Sequence, residues 1–258
     1  MNEDLHLSSV SLAQDHGYLA LADICAIAAD LDVEHRIIGG HMVSLLVEAY
    51  QVRGVPARET ADADLAGTPQ VLSDPRLIPA LTGLGYTQVA GNRFRRDIAP
   101  GRAAVIDLLA PSYTSRFRSN QTLGDLTVDE VPGLSLALSA PPLVLHLQVN
   151  LSDGTTLATR AHIPTALPAL ALKAMTYRSR RQAKDAVDVW RLLEVARAAG
   201  LTPTDWTPTG VRSQSATILR EDFGRARAGG TTNATSDQTL RARIAALVAA
   251  HVGPPPAA

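Results

Sequence analysis

The chain has 258 residues, of which 46% are hydrophobic and 19% are charged, and its 24 basic residues nearly balance its 25 acidic ones. This length and apolar content exclude an intrinsically disordered chain and predict one large domain or two small ones with a buried core. The balanced charge gives no general argument for a polyanion-binding protein, and no apolar run approaches the roughly 20 residues that span a bilayer.

The first residues and the cysteine content bear on the cellular compartment. The sequence begins MNED, which lacks the basic-then-apolar order of a secretory signal. Cys25 is the single cysteine, so the chain forms no intramolecular disulfide, and a cysteine-built metal site is not expected. We therefore expect a cytoplasmic protein with no membrane partner.

The first half of the chain predicts alternating helices and strands. The predicted helices are residues 19–31, 41–52 and 74–84, the last with Pro75 in its first turn. The predicted strands are residues 36–38, 60–65, 88–95 and 103–109. Residues 111–139 are rich in turn-forming residues and receive no firm element.

The period of the hydrophobic pattern changes in the second half. Residues 143–151 and 156–163 predict a hairpin. The predicted helices that follow are residues 167–177, 183–198, 213–223 and 239–251. We expect an α/β (α+β) core with a mixed sheet over residues 1–164, a helical domain over 165–252 and a mobile tail over 253–258.

Three aspartates form the most informative pattern in the sequence. Asp62 and Asp64 lie two apart on a predicted strand and therefore project from the same face. Asp107 lies within an apolar run on a strand that we expect to neighbour the first one, and an unpaired carboxylate there would be costly. Carboxylates that converge in this way need cations, and Mg²⁺ is the expected one because it prefers oxygen ligands. Two such ions would stabilise the entering and leaving oxygens of a phosphoryl displacement.

A paired-glycine turn precedes these aspartates. Gly39 and Gly40 lie between a predicted strand and a predicted helix, where the absence of a Cβ lets a phosphate approach the backbone. The free N–H groups at the start of that helix favour an anion, and His41 and Ser44 would donate side-chain hydrogen bonds at the same end. Gly-Gly turns and Asp-X-Asp triplets are individually common, so the prediction depends on their order along the chain.

A second cluster lies between two of the later helices and contains both lysines of the chain, Lys173 and Lys184. An ammonium is a compact point charge that a guanidinium does not replace in every site. Asp185 and Asp188 follow three apart on one helix face, where capping of the helix is the simpler interpretation. The intervening arginines predict either a surface that attracts a polyanion such as RNA or a solvated loop; they are Arg178, Arg180 and Arg181.

Four segments carry a resemblance to a known superfamily. They are IIGGH at residues 37–41, RETADADL at 58–65, VIDL at 105–108, and Lys173 with KDAVD at 184–188. These segments resemble the nucleotidyltransferase superfamily with the DNA polymerase β fold, and within it the AbiEii/AbiGii-type toxin group. The interval from Gly40 to Asp62 is longer than in the compact members of the superfamily.

The resemblance implies a role for each matching residue. Nucleotide-binding residues would be Gly39, Gly40, His41, Ser44, Arg58, Lys173, Lys184, Asp185 and Asp188. Asp62, Asp64 and Asp107 would hold two Mg²⁺ ions. Lys173 would reach the nucleotide phosphates and count among the catalytic residues, while Lys184 would pair either with a phosphate or with a neighbouring aspartate.

The expected function is therefore transfer of NMP from an NTP to an acceptor hydroxyl. The toxin resemblance implies an RNA acceptor, the tRNA 3′ end, and an antitoxin partner. Two alternatives remain open at this point. One is transfer to a small molecule or to a protein hydroxyl, and the other is a non-catalytic NTP-binding or RNA-binding module with the same fold.

Overall fold

The computed structural model describes residues 1–99, 101–114, 116–124 and 126–254. The chain separates into two compact units. The first contains Asn2–Ser44 and Arg58–Pro164, and the second contains Leu45–Ala57 and Thr165–Ala258, together with Met1. Of the tail predicted to be mobile, residues 255–258 lie outside the described residues.

The first unit contains all the strands of the described chain. They are β1 (Asp4–Ser8), β2 (His35–Ile38), β3 (Asp62–Gly67), β4 (Thr87–Ala90), β5 (Arg93–Ala99), β6 (Arg102–Ser112), β7 (Arg118–Leu123), β8 (Leu126–Pro132), β9 (Leu143–Asn150) and β10 (Thr156–Ile163). One sheet has three strands in the order β1-β9-β10. The other has seven strands and runs β2-β3-β6-β5-β4, with β8 also paired to β6 and β7 paired to β8.

The first unit also contains helices, several of which pack against these sheets. They are α1 (Leu12–Asp30), the start of α2 (Gly39–Ala49), α3 (Pro69–Leu72), α4 (Leu77–Gly83) and α5 (Leu134–Ser139). Of these, α1, α3 and α5 pack against the sheets, and α4 packs against α1. Ser11 caps the start of α1, and its side chain accepts a hydrogen bond from the Gln14 N–H. It is apolar on several faces because it packs against β3 and β6 of one sheet and β10 of the other.

One predicted helix is corrected by the structure. The pattern predicts a helix over residues 74–84 with Pro75 in its first turn, whereas α4 begins at Leu77. The Asp74 carboxylate accepts hydrogen bonds from the backbone N–H and the guanidinium of Arg76, which holds this segment in a turn. The short α3 before it was not predicted.

The second unit is helical in its described part. Its elements after residue 164 are α6 (Ala166–Arg180), α7 (Ala183–Ala198), a 3₁₀ turn (Pro203–Asp205), α8 (Gly210–Phe223), α9 (Gly229–Ala234) and α10 (Gln238–His251). Tyr177 of α6 and Phe223 of α8 pack edge-to-face in its core with ring centroids 4.9 Å apart. The Trp206 Nε1–H donates to the His251 carbonyl oxygen, which ties the 3₁₀ turn to the end of α10.

The predicted fold class is confirmed: the protein is mixed α/β, and its large sheet contains both parallel and antiparallel pairs. The core face of this sheet carries Ala63, Leu65, Phe94 and Ile106, all buried. Alternate residues on the same strands point to the opposite face, which is more open and carries the aspartates. In the described part of the chain, no helix combines the length and the apolar composition that crossing a membrane requires.

Candidate functional site

The predicted carboxylates lie on adjacent strands of the seven-stranded sheet. Strand β3 pairs in parallel with β6, and Asp64 is directly opposite Asp107. Strand β5 pairs with the other edge of β6, and Arg93 is directly opposite Asp107 there. Side chains that are directly opposite across paired strands share one face of a sheet. Asp64, Asp107 and Arg93 therefore form a single row across three neighbouring strands, which we call the charged row.

Arg93 holds Asp107 in a two-point contact. Its Nε donates to Asp107 Oδ1 at 2.8 Å, and its Nη2 donates to Asp107 Oδ2 at 2.6 Å. Asp107 is 7% exposed, so this guanidinium compensates a carboxylate that would otherwise be buried without a partner. The hydrogen bonds that Arg93 donates to Asp107 raise the pKa of Arg93 above its usual value. The nearby negative charges of Asp62 and Asp64 act in the same direction.

Asp62 lies at the solvent-exposed side of the same group. Its position two residues before Asp64 gives it the same strand face. Its Oδ2 is 3.7 Å from the Arg93 Nη2, and its side chain is 43% exposed. One guanidinium thus lies among the three carboxylates predicted to bind a cation, and water reaches the cluster from the side of Asp62.

The paired glycines begin next to this row. Ile38, the last residue of β2, is opposite Asp64, and α2 starts directly after it at Gly39. Gly39 has φ +69°, and a Cβ at this residue would lie 1.6 Å from Asp64 Oδ2. A Cβ at Gly40 would lie 2.3 Å from Thr60 Oγ1. Both positions therefore require glycine because polar side chains pack directly against the backbone.

Thr60 contributes a further polar atom at this turn. Its residue is 8% exposed, and its buried Oγ1 has no hydrogen-bond partner among the described residues. Buried hydroxyl groups usually have a hydrogen-bond partner. The Thr60 hydroxyl is an exception, and it lies beside the start of a helix. The motif at residues 58–65 contains Thr60, but the sequence alone predicts no role for this residue.

The two side chains predicted to donate from the start of α2 differ in their surroundings. The His41 ring is buried, and its Nε2 donates to the Gly17 carbonyl oxygen at 3.1 Å. Burial lowers the pKa of His41 to about 4, so the imidazole is neutral at pH 7. Ser44 is half-buried one turn further along α2. Arg58 is half-buried just before β3. Their nucleotide-binding roles stay predictions.

The donor set at the charged row suits a hard divalent cation. Carboxylate oxygens are the ligands that Mg²⁺ prefers, and the guanidinium already among them shows that this group of anions recruits a positive charge. Within the described ranges, no three histidine, cysteine, aspartate or glutamate side chains are grouped around one point as a metal site. Asp62, Asp64 and Asp107 are therefore not arranged as a ready metal site beside Arg93, and their binding of Mg²⁺ stays a prediction.

The predicted residues of the later cluster belong to the helical unit. Lys173 Nζ donates to Asp188 Oδ2 at 2.8 Å, and both residues are buried. The Arg191 Nη1 is 3.8 Å from the other oxygen of Asp188. Lys184 is exposed at the start of α7, whereas Asp185 is buried and accepts from the Arg180 guanidinium at 3.2 Å.

The arginines at and just after the end of α6 make ion pairs inside the same unit. Arg178 and Arg181 both contact Asp222 of α8 at 2.8 Å. Arg178 also reaches Glu221 at 2.7 Å. These contacts tie the end of α6 to α8, so the arginines have a structural role beside the predicted attraction of a polyanion.

Arg93 is the main residue of this site whose position the sequence reasoning missed. The sequence pattern alone predicts no role for Arg93. Its contact with Asp107 follows from the register of β5 on β6, which depends on where the hairpin between them turns. The available signal was the buried carboxylate itself, since such a group requires a partner.

Comparisons with known proteins give structural likenesses but no match by sequence. No protein-family model matches the chain, and no curated protein matches it. Among solved structures, the chain is similar to an antigenic nucleotidyltransferase-like protein from Paracoccidioides brasiliensis, with 16% identity, a TM-score of 0.43 and 95% of each chain covered. The residues of this chain, rather than that likeness, support the conclusions that follow.

Proposed function

We propose that this protein is a nucleotidyltransferase that transfers NMP from an NTP to an acceptor hydroxyl and releases pyrophosphate. The observation that carries the proposal is the charged row beside the paired-glycine turn. Asp64 and Asp107 are in register on adjacent strands, and Gly39 follows the strand position opposite Asp64. Phosphoryl transfer needs these two parts: a cradle for phosphate oxygens and anions that position cations.

The glycine turn would hold the phosphates of the NTP. Gly39 and Gly40 carry no side chains where α2 begins, Asp64 and Thr60 pack against them, and N–H groups at a helix start favour anions. The unsatisfied Thr60 hydroxyl lies against Gly40 and is available to donate to a phosphate oxygen. These groups orient the α-phosphorus towards the acceptor, and orientation supplies a large part of the acceleration in phosphoryl transfers.

The aspartates would act on the other side of the reacting phosphorus. Asp62, Asp64 and Asp107 would hold two Mg²⁺ ions, which supply charge neutralisation at the entering and leaving oxygens when bound. The acceptor oxygen forms a bond to the α-phosphorus while the bond from that phosphorus to the bridging oxygen breaks. Asp107 would accept the hydroxyl proton, and the electron pair of the broken bond would leave with pyrophosphate.

The proposed acceptor is an RNA 3′ hydroxyl, with the tRNA 3′ end as the first candidate. This finer proposal rests on the resemblance of residues 37–41 and 58–65 to toxin-type nucleotidyltransferases. The same resemblance leads us to propose an antitoxin partner. Lys173, Lys184, Asp185 and Asp188 are proposed to act on the nucleotide side, as the motif implies.

Label transfer from α-labelled nucleotides tests the proposal directly. The purified protein is incubated with Mg²⁺, total tRNA and each of the four α-labelled NTPs in turn. We expect labelled tRNA with at least one NTP. Asp64→Asn should lower the rate about a hundredfold or more, the scale at which losing one preorganised electrostatic group slows an enzyme.

The matched control is Asp97→Asn. Asp97 is an exposed aspartate of β5 that pairs with Arg95 rather than with the charged row, so its substitution should leave the rate unchanged. Equal label in the wild type and in Asp64→Asn would contradict the proposal. Label on a small molecule or on protein, with none on tRNA, would keep the reaction and replace the acceptor. Binding of NTP or RNA without any transfer would favour the non-catalytic alternative.

A further inference from the structure

The charges of the chain are divided unequally between its two units. The helical unit contains 14 lysine and arginine residues against 8 aspartate and glutamate residues, whereas the first unit contains 10 against 17. The formal side-chain charge is therefore +6 in the helical unit and −7 in the first unit, and the two nearly cancel over the whole chain. A charge asymmetry of this kind is typical of proteins that bind nucleic acid or an anionic surface.

Two segments of the helical unit bring much of this positive charge to one place. Residues 178–185 span the end of α6 and the start of α7, and residues 221–227 span the end of α8 and the loop after it. The two segments meet because Arg178 and Arg181 both contact Asp222 at 2.8 Å. We call these two segments together the basic end.

The basic end contains more cations than its own carboxylates can pair. It has six basic and three acidic residues, so a formal charge of +3 remains however the individual contacts are shared. The basic residues are Arg178, Arg180, Arg181, Lys184, Arg225 and Arg227, and the acidic residues are Asp185, Glu221 and Asp222. Arg178 is half-buried, and the other five basic residues are exposed. The ion pairs within the basic end therefore hold its segments together without neutralising them.

The turn between α6 and α7 is held by hydrogen bonds from inside the unit. Arg181 caps the end of α6 with φ +54°, and its N–H donates to the Tyr177 carbonyl oxygen at 2.7 Å. Asn233 of α9 donates to the Tyr177 hydroxyl at 3.0 Å. These bonds fix the backbone while Arg180 and Lys184 stay exposed. Charged groups on a fixed backbone lose less freedom when a ligand binds, which favours binding.

The surroundings of this charge favour RNA over a membrane or a protein as the partner. Among the described residues after 164, no large hydrophobic side chain is exposed. Helices that lie on membranes bury an apolar face, and protein interfaces have an apolar and aromatic centre. Interfaces with nucleic acid are more polar and much more positively charged. Five of the six cations are arginines, whose planar fork matches a phosphate in two-point contacts.

We propose that the basic end is a docking surface for the phosphate backbone of an RNA strand. Its cations displace the counter-ions of the phosphates, so the binding is strong at low salt and independent of base sequence. The choice of RNA as the polyanion rests on the proposed function, in which an RNA hydroxyl accepts the NMP. The docking itself requires neither nucleotide nor metal.

The test measures binding of a fluorescently labelled single-stranded RNA to the whole protein by anisotropy, without nucleotide or divalent ion. The variant combines Arg225→Gln with Arg227→Gln, which removes two exposed cations of the basic end. Its affinity should be about twentyfold lower than that of the wild type at about 0.1 M salt, because each phosphate contact contributes roughly fivefold there. The slope of log Kd against log salt concentration should fall by about 1.4.

The matched control removes the same charge from the other ends of two of the same helices. Arg197 lies in the last turn of α7, and Arg212 lies in the first turn of α8. Each is about 15–20 Å along its helix from the basic end, beyond the Debye length of ~10 Å at 0.1 M salt. Arg197→Gln combined with Arg212→Gln should therefore change the RNA affinity by less than about twofold.

A second variant changes the affinity in the opposite direction. Glu221→Gln removes an acidic residue from the basic end, while Arg178 keeps its contact with Asp222. The RNA affinity should rise about threefold, since one more cation becomes available to a phosphate. A variant that had lost its fold would not bind RNA more tightly than the wild type.

The outcomes separate this inference from the proposed function. Equal RNA affinity in the wild type and in the Arg225/Arg227 variant overturns the inference, even where label transfer to tRNA is observed. An equal loss in the Arg197/Arg212 control also overturns it, because total charge rather than the basic end would then decide the binding. Weaker binding confined to the Arg225/Arg227 variant supports the inference even in a protein that transfers no NMP, and then only the proposed function fails.

Two further probes test the other classes of partner. Polyglutamate represents an acidic protein, and phosphatidylcholine vesicles that contain phosphatidylserine represent an anionic membrane. Tighter binding of either probe than of RNA, with a loss in the Arg225/Arg227 variant, would replace RNA as the partner and overturn the inference. RNA binding that neither probe displaces at equal anionic charge supports it.

Discussion

Asp188 lies between two buried cations in the helical unit. Lys173 is 2.8 Å from one of its oxygens, and Arg191 is 3.8 Å from the other. Its side chain has no exposed surface. A carboxylate in such a position is compensated only while its partners remain, so the three residues act as one group. This arrangement gives Lys173 a structural role independent of its proposed contact with nucleotide phosphates.

The first prediction concerns the stability of this group. Lys173→Met should lower the free energy of unfolding by ~3 kcal/mol, at the lower end for a broken buried pair because Arg191 still partners Asp188. Asp188→Asn should cost more, since it leaves two buried cations with no carboxylate between them. Urea denaturation followed by far-ultraviolet circular dichroism measures both changes.

Lys184 provides the control for Lys173. It is the other lysine of the chain and is exposed at the start of α7. Lys184→Met should change stability by less than about 0.5 kcal/mol. If Lys173→Met were equally harmless, the buried pair would contribute nothing to stability, and Lys173 would be a purely functional residue.

His41 makes the stability of the first unit depend on pH. Burial lowers its pKa to about 4, while an unfolded histidine titrates near 6.5. Between these values the unfolded chain binds the additional proton, so the stability present above pH 6.5 is lost as the pH falls through 4. The expected loss from His41 is ~3 kcal/mol over this window.

Chemical denaturation at pH 7, 5.5 and 4.5 measures this dependence. His41→Gln keeps a donor for the Gly17 carbonyl oxygen and cannot be protonated, so its stability should fall less than that of the wild type. His146→Gln, at an exposed position of β9, should keep the wild-type slope. An unchanged slope in His41→Gln would show that other groups cause the acid sensitivity.

At the scale of elements, regular hydrophobic periods predicted the long segments well. Helix α7 was predicted with its observed ends, and the β9–β10 hairpin within one residue. The predicted single strand at residues 88–95 is part of two strands, β4 and β5, which a turn at residues 91–92 separates. Residues 111–139 received no firm element but contain β7, β8 and α5, because β7 is polar and exposed and β8 pairs β6 over four residues.

The candidate site was predictable to the extent that it depends on strand spacing. Side chains two residues apart on a strand lie on the same face. The sequence alone therefore predicts that Asp62 and Asp64 lie on one face. The order of the strands and the register of Asp107 against Arg93 were not predictable, because pairing between distant segments depends on tertiary packing. The ion pair between Arg93 and Asp107 could not be predicted for that reason.

The start of α2 yields a prediction about a single methyl group. Gly39→Ala adds a Cβ at φ +69° and at 1.6 Å from Asp64 Oδ2. Gly54→Ala adds one at φ +76° with no atom within 4 Å. The backbone cost of about 1 kcal/mol is common to both. Gly39→Ala should therefore cost roughly twice that or more, and it should also displace Asp64.

Thermal unfolding and label transfer read out the two parts of this effect. Gly54→Ala should lower the melting temperature slightly and leave the label-transfer rate at the wild-type value. Gly39→Ala should lower the melting temperature further and reduce the transfer rate, because Asp64 leaves the charged row. Equal effects of the two substitutions would mean that Asp64 has room to move and that Gly39 serves only the backbone.

At the scale of the whole molecule, the two units are interleaved along the chain. The division falls inside α2, between Ser44 and Leu45, and again between Ala57 and Arg58. The helical unit therefore takes one segment from the first quarter of the sequence and the rest from its last third. Two contiguous halves of this chain therefore do not each hold a complete unit, because Leu45–Ala57 belongs to the helical unit.

The register of β3 on β6 has a consequence for how this sequence can vary. A strand reverses every side chain when it slips by one position. A slip of β3 by one position against β6 would turn both of its aspartates to the face that now carries Ala63 and Leu65, and would bring those two apolar side chains to the more open face. Length changes inside β3 would therefore disrupt the charged row, while substitutions along the strand leave its register intact.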